Sequence, residues 1–218
     1  KFNLGFPLNF LNIGGISNIT FTVDWKKWEL KQNDINAYDI GPGNCMIDQW
    51  IRKNSNKKYD KDGLIAKSGK IDRLILNQAL QNFDENSNYE KSLDIKDFDI
   101  FFAKGLSLEN GAATISNFTS ILIANGLKYA HRQGQSIVNK WLVCGGGRKN
   151  KFLLESIKNS FEKINIAPID RYEVDGDFVE SQAFGYLAIR SFLKLPISFP
   201  STTGCREPST GGVLVQNF

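Results

Sequence analysis

Cysteine is scarce in this chain. There are three in 218 residues, Cys45, Cys144 and Cys205, far apart and without a Cys-x-x-Cys pair. So sparse and odd a set argues against a disulfide framework and against a thiolate zinc site. Burial as small apolar side chains suits Cys45 and Cys144. Histidine is rarer still: the single His131 ends a predicted helix, reads as a structural or surface group, and leaves no Ser–His–Asp grouping and no metal-ligand cluster. No run of about 18 apolar residues exists, so no transmembrane helix is expected. Residues 1–7 show no charged start followed by an apolar run and a cleavage site, so a cytoplasmic location is expected. The chain does not begin with methionine and enters a strand almost at once, and so reads as a piece of a longer chain. A large excess of one charge is also missing. The formal net charge is +4, with Lys and Arg interleaved among Asp and Glu, so there is no stripe for nucleic acid. The mild basic balance fits a solvated lysine-rich surface, or anionic ligands.

What is present reads as a folded α/β domain. Hydrophobic residues make 41% of the chain and charged residues 23%, which excludes disorder as the starting reading. The length suits one large domain, or one domain with insertions. Residues 8–23 hold two apolar, β-branched runs around Gly14-Gly15, a hairpin signal. A third strand is predicted over 35–40. Helical spacing follows over 45–53, then a helix over 64–83 weakened at Gly69, a polar stretch over 84–99, and a long amphipathic helix over 108–131. Residues 141–144 form a short apolar run that opens into three glycines, the pattern of a buried parallel strand. A helix over 151–161, a strand over 164–169 and a helix over 179–193, with Phe184, Leu187, Ala188 and Phe192 on one face, complete the order. A meander followed by alternating strands and helices predicts a mixed sheet of five strands, three antiparallel then two parallel, with helices on both faces. The segment 44–140 is expected as a mostly helical insertion.

Four motifs can carry chemistry. In "NIGGISNIT" (12–20), Gly14 and Gly15 either make a plain hairpin turn or let the backbone approach a ligand, with Ser17, Asn18 and Thr20 as added donors. In "DIGPGN" (39–44), a carboxylate ends a strand, Gly41 and Gly43 turn the chain, and Asn44 is positioned to cap the next helix. Such a helix start attracts anions. Asp39 would repel a phosphate, so its task there would be to hold a metal or a metal-bound water; the other reading is a simple strand–turn–helix connection. Asp48 reads as a surface or capping charge. In "LVCGGGRKN" (142–150), the glycines suit a loop lying against a flat ring or sugar, with a helix starting at Asn150. Arg148 and Lys149 read as exposed charges. This is not GxGxxG, so a nicotinamide-dependent enzyme is disfavoured. In "GDFVESQAF" (176–184), Glu180 is either the box partner of a capping Asp177 or a carboxylate for sugar hydroxyls.

The order of these motifs is more specific than any one of them. A Gly-Gly hairpin, then Asp-x-Gly-x-Gly-Asn, then a strand running into Gly-Gly-Gly, resembles the second, ribonuclease-H-like domain of the actin/hexokinase/Hsp70 superfamily. More narrowly, the chain resembles the anhydro-N-acetylmuramic acid kinase family. The resemblance is collinear and carried by "LNIGGISNIT", "YDIGPGNCMIDQWI", "YDKDGLIAKSGKI", "EKSLDIKDF", "LENGAATISNFT", "LVCGGGRKN", "GDFVESQAFGYLA" and "TTGC". It implies a two-domain sugar kinase of which residues 1–218 form the C-terminal, nucleotide-binding domain. That enzyme uses ATP and Mg2+ to phosphorylate 1,6-anhydro-N-acetylmuramic acid at its 6-oxygen. It opens the anhydro bond with water in the same reaction, giving N-acetylmuramate 6-phosphate for cell-wall recycling.

By the same resemblance Gly14, Gly15, Ser17 and Asn18 form a phosphate-binding hairpin. Asp39, Gly41, Gly43 and Asn44 lie beside the phosphates, with Asp39 toward the metal. Gly145, Gly146, Gly147 and Asn150 form the adenosine loop, and Glu180 contacts the sugar. The catalytic base is expected in the half of the family that precedes Lys1, and no residue of this chain is assigned to it. A homodimer is implied too, with an amino sugar and ATP as small-molecule partners and no nucleic acid or membrane. The alternative is a non-catalytic ATP-binding or assembly module of the same superfamily.

Overall fold

The computed structural model describes residues 9–22, 35–83, 89, 91–132 and 140–215. The ends of the first hairpin at Leu8 and Val23, the polar residues 84–88 and Glu90 lie outside this range. Strand β1 (Asn9–Ile13) and strand β2 (Ile16–Thr22) pair antiparallel about Gly14-Gly15. Strand β3 (Ile35–Pro42) adds antiparallel to β2, with a register shift between Ser17 and Asn18. Strand β4 (Lys140–Cys144) lies parallel to β1, and β5 (Asn165–Pro168) lies parallel to β4. The order across the sheet is β3-β2-β1-β4-β5.

Helices α1 (Cys45–Asn54), α2 (Leu64–Ser68), α3 (Arg73–Gln81) and α4 (Leu108–Arg132) stand between β3 and β4 in the chain. Helix α5 (Lys151–Ser160) is the crossover that a parallel β4–β5 pair requires, and α6 (Val179–Phe192) and α7 (Pro200–Thr203) follow. None of the described helices is long and apolar enough to cross a membrane.

The pleat of β1 sorts its side chains. Leu11 and Ile13 enter the main core with Ile19, Phe21, Trp141 and Val143, whereas Phe10 faces a smaller cluster of Leu142, Cys144 and Ile169 on the other side of the sheet. Helix α4 covers the main face, and two glycines let it come close. A β-carbon on Gly126 would sit 2.5 Å from Ile40 Cβ, and one on Gly111 would sit 2.1 Å from Trp50 Cζ2. The opposite face is only lightly covered: Val179, at the start of α6, packs there with Tyr172 and Val174. No residue of α6 is fully buried, and Phe184 and Phe192 stay 65% and 68% exposed. The apolar face read from the sequence therefore exists but packs against little within the described residues.

The helix expected over 64–83 is in fact two. Gly69 is extended, and a β-carbon on it would lie 2.0 Å from the Glu109 carbonyl oxygen. Helix α3 then restarts behind Asp72, whose carboxylate accepts from the Ile75 N–H at 3.0 Å. Apolar spacing runs on through Gly69 and conceals the break, although Asp72 is a normal capping residue.

Candidate nucleotide site

Because β1 and β4 are parallel neighbours, with Asn12 beside Cys144, their carboxyl ends fall at the same edge of the sheet. The two glycine turns that follow them are thereby brought side by side, at the edge where open α/β sheets hold their ligands. The third turn joins them. The N–H of Gly43 donates to Gly15 O and that of Asn44 to Gly14 O, both at 2.8 Å, and the Cys45 N–H reaches Gly15 O at 3.2 Å. A β-carbon on Gly43 would meet Gly14 O at 2.3 Å, and one on Gly147 would meet Ile13 Cγ2 at 2.2 Å. The three turns pack on one another through absent side chains.

A cavity of about 480 Å³ opens between the turns that follow β1 and β4, its lining including Asn12, Gly14, Asn18, Gly145, Gly146 and Glu180, with Cys144, Gly176 and Asp177 also in its wall. A second cavity of about 550 Å³ is lined by Tyr38, Asp39, Lys91, Thr202 and Thr203. Asn18 belongs to both, so the two spaces adjoin across β2.

The remaining residues singled out by sequence do not line these cavities. Ser17 is buried, and its hydroxyl donates to Pro42 O at 3.1 Å, pinning the end of β3 to β2. Gly41, at φ +146°, passes within 3.3 Å of Leu122 Cβ, measured from the β-carbon it lacks. Asn150 caps α5, accepting from the Leu153 N–H at 3.0 Å. Asn44 does precede α1, but its side chain does not cap it. Its amide nitrogen turns back and donates to Ile13 O at 3.3 Å and Gly14 O at 3.1 Å. The hairpin carbonyls attract the Asn44 side-chain amide and the N–H groups of Gly43, Asn44 and Cys45, so the chain entering α1 is bonded to the hairpin.

Two readings of charge are corrected. Arg148 is not an exposed charge: its side chain is 3% exposed and forms ion pairs with Asp170 and Asp177, both at 2.7 Å. Asp177 is not the cap of α6 either; that position falls to Phe178, with no side-chain cap, because the Asp177 carboxylate is taken by Arg148 and Lys149. These ion pairs hold the carboxyls of Asp170 and Asp177 below the usual carboxylate range. Cys144 lines the cavity as a neutral thiol, its pKa pushed up to about 11 by burial.

Asp39 behaves oppositely. It is half-buried, and desolvation raises its pKa from the ordinary 3.8, while the Leu93 N–H, donating to Oδ2 at 2.8 Å, pulls the other way. A raised carboxyl pKa favours folding when the group is protonated. That contribution is complete below the unfolded value and lost as pH rises through the folded one. Asp39→Asn is therefore expected to make the chain more stable than wild type at pH 7, with the gap closing as pH falls toward 4; thermal melts across pH check this. A native carboxylate that weakens the fold is the kind of group retained for binding.

A sheet in the order 3-2-1-4-5, its first three strands antiparallel and its last two parallel, with glycine turns gathered at the carboxyl ends of β1 and β4, defines an α/β domain with a ribonuclease-H-like sheet. A model of the anhydro-N-acetylmuramic acid kinase family matches residues 7–217. The chain belongs to that family.

Among curated proteins, the anhydro-N-acetylmuramic acid kinase of Pelagibacter ubique is 49% identical over 97% of this chain and 56% of its own length. That of Zymomonas mobilis is 37% identical over 94% and 53%, and that of Brucella canis 36% identical over 96% and 54%. The chain thus spans about half the length of the curated relatives it matches. Among solved structures, an activator of the 2-hydroxyisocaproyl-CoA dehydratase from Clostridium difficile with bound ADPNP aligns with a TM-score of 0.40 and 11% identity, over 84% of this chain and 63% of that one.

Proposed function

We propose that this chain is the nucleotide-binding domain of an ATP-dependent kinase that converts 1,6-anhydro-N-acetylmuramic acid to N-acetylmuramate 6-phosphate. The observation that carries the reading is the cavity between the glycine turns that follow β1 and β4, with the third glycine turn bonded to the first behind it. Phosphoryl transfer depends mostly on in-line placement and neutralised charge, so close-approaching backbone is the chemistry such turns offer. On this reading Gly14, Gly15 and Asn18 face the phosphates, Gly145 and Gly146 lie along the adenosine, and Glu180 reaches the sugar. Ser17, Gly41, Gly43, Asn44, Gly147 and Asn150 hold these groups in place.

Asp39 would hold Mg2+, which supplies charge neutralisation to the nucleotide when bound. Among the described residues no group of three or more His, Cys, Asp or Glu converges. That suits magnesium, which takes one or two carboxylates and completes its shell with phosphates and water. Opening the anhydro bond needs a carboxylate to activate water at the anomeric carbon. We assign that base to no residue of this chain, and expect the 218 residues alone to bind nucleotide weakly, if at all, and not to turn over. The enzyme would act in the cytoplasm, as a homodimer.

A chimera tests the proposal. Residues 7–217 of this chain replace the matching stretch of the Pelagibacter ubique relative. The chimera is expected to convert the anhydro-sugar with ATP, the product gaining one phosphoryl group and one water by mass. A folded chimera that leaves the sugar unchanged, beside an active parent, would falsify it.

A further inference from the structure

The two walls of the nucleotide cavity come from distant parts of the chain: Gly145 and Gly146 from the loop after β4, and Gly176 and Asp177 from the connection between β5 and α6. One buried side chain spans them. Arg148 Nη1 donates to Gly145 O at 3.0 Å and to Asp177 Oδ1 at 2.7 Å. Its Nε donates to Asp170 Oδ2 at 2.7 Å, and its Nη2 to Asp170 Oδ1 at 3.0 Å. Asp175 lies 3.8 Å from Nη2. The chain passes directly over the guanidinium at Gly176, where a β-carbon would lie 2.3 Å from Nε. The Arg148 side chain is 3% exposed, whereas those of Asp170 and Asp177 are 46% and 49% exposed, so the cation is the enclosed member and the carboxylates ring it.

We propose that Arg148 is a positioning residue for the nucleotide cavity, tying the Gly145–Gly147 loop to the 170–177 connection and cancelling the charge that Asp177 brings to the cavity wall. The proposal rests on the nucleotide reading of the site. Only a planar fork with donors on three nitrogens can serve Asp170 in two-pronged fashion while also holding Gly145 O and Asp177; an ammonium offers one point. The electrostatic part follows from the wall itself. Asp177 and Glu180 both line the cavity, an unfavourable setting for an anionic ligand unless a cation answers them. Arg148 answers from behind the wall, with Lys149 bonded to the other oxygen of Asp177 at 2.5 Å.

The two parts predict different readouts. The chain and its Arg148→Gln, Arg148→Lys and Asp177→Asn variants are titrated with ADP and with adenosine by ligand-observed NMR. Backbone exchange over 145–150 and 170–177 is followed by mass spectrometry. Arg148→Gln is expected to weaken ADP about tenfold, the scale of a lost charged hydrogen bond, and adenosine less. Adding Asp177→Asn to it should restore part of the ADP affinity, since the unpaired carboxylate is gone. Arg148→Lys keeps the charge but loses the fork, so exchange over 145–150 should quicken in both Arg148 variants while α4 stays protected.

Unchanged exchange over 145–150 in Arg148→Gln overturns the proposal. So does an equal loss of ADP and adenosine that Asp177→Asn does not relieve. Should wild type bind neither ligand, the exchange comparison decides the tie, and the chimera decides the nucleotide reading. If Arg148→Gln does not fold, Asp177→Ala decides: it removes one tie at a half-exposed carboxylate, and unchanged exchange over both segments then overturns the proposal.

Discussion

Alanine at Gly145 is expected to unsettle the domain and close its cavity together. Gly145 holds φ +76° and ψ 172°, a conformation open in practice to glycine alone and costing other residues about 1–3 kcal/mol. The added methyl would also lie 2.4 Å from Asn12 Oδ1 and 2.6 Å from Ile13 O. The second of these belongs to the backbone of β1, in the middle of the sheet, and cannot step aside. A total cost of about 2–4 kcal/mol corresponds to a thermal midpoint lower by roughly 4–16 °C in a domain of this size. ADP affinity should fall with it, because Asn12 and Gly145 share the cavity wall. Gly146→Ala is the internal comparison: nothing lies nearer to its β-carbon than Asn44 Nδ2 at 3.7 Å, and its φ is not positive. It should leave the melting curve close to wild type and weaken only the ligand, since the methyl enters the cavity. Equal melting for the two variants would mean that the loop is not held as described.

The second large effect lies in the core under β3. Trp50 is 3% exposed, and its indole N–H donates to Leu108 O at 2.9 Å, at the start of α4. Trp50→Ala is expected to cost about 3–5 kcal/mol by emptying that space and orphaning the carbonyl. Gly111→Ala drives a methyl to 2.1 Å from Trp50 Cζ2, an overpacking worth about 1–3 kcal/mol. The pair should be strongly non-additive: with Trp50 truncated, the methyl of Ala at 111 has room. The double variant should then recover about 0.5–3 kcal/mol of the sum of the single losses. Urea unfolding of the four proteins measures this. Simple additivity would show that α1 and α4 do not touch at this point.

Much of the architecture was legible because it is written in short-range pattern. Alternation marks β1 and β2 around Gly14-Gly15, the run ending at Cys144 marks β4, and the spacing of Ala112, Ile115, Phe118 and Leu122 marks α4. The collinear glycine motifs marked three turns that pack together, two of which line the cavity. What was missed depends on partners far along the chain. Arg148 looked like half of a solvated Arg-Lys pair, because Asp170 and Asp177 lie 22 and 29 residues away. Asn44 looked like a cap, because the carbonyls that claim its amide stand 31 and 30 residues earlier. The break at Gly69 is imposed by the carbonyl of Glu109, on another helix. The Asp177–Glu180 spacing was a genuine capping signature, and it lost to a buried guanidinium, a stronger competitor for the carboxylate than exposed backbone N–H groups.

Helix α6 has two sides with different company. Glu180 and Ala183 look inward on the cavity, while Ile189 and Phe192, further along the helix and turned about 120–180° from them, stand in water. Fourteen residues are barely enough for a helix to persist by itself in water. A surface that pressed on Ile189 and Phe192 would therefore also quiet the inner wall, and thermodynamic reciprocity would make a ligand resting against Glu180 tighten that outer grip by the same factor. In mechanical terms α6 is a partition rather than a buttress, and the firmness of one room is set from the other.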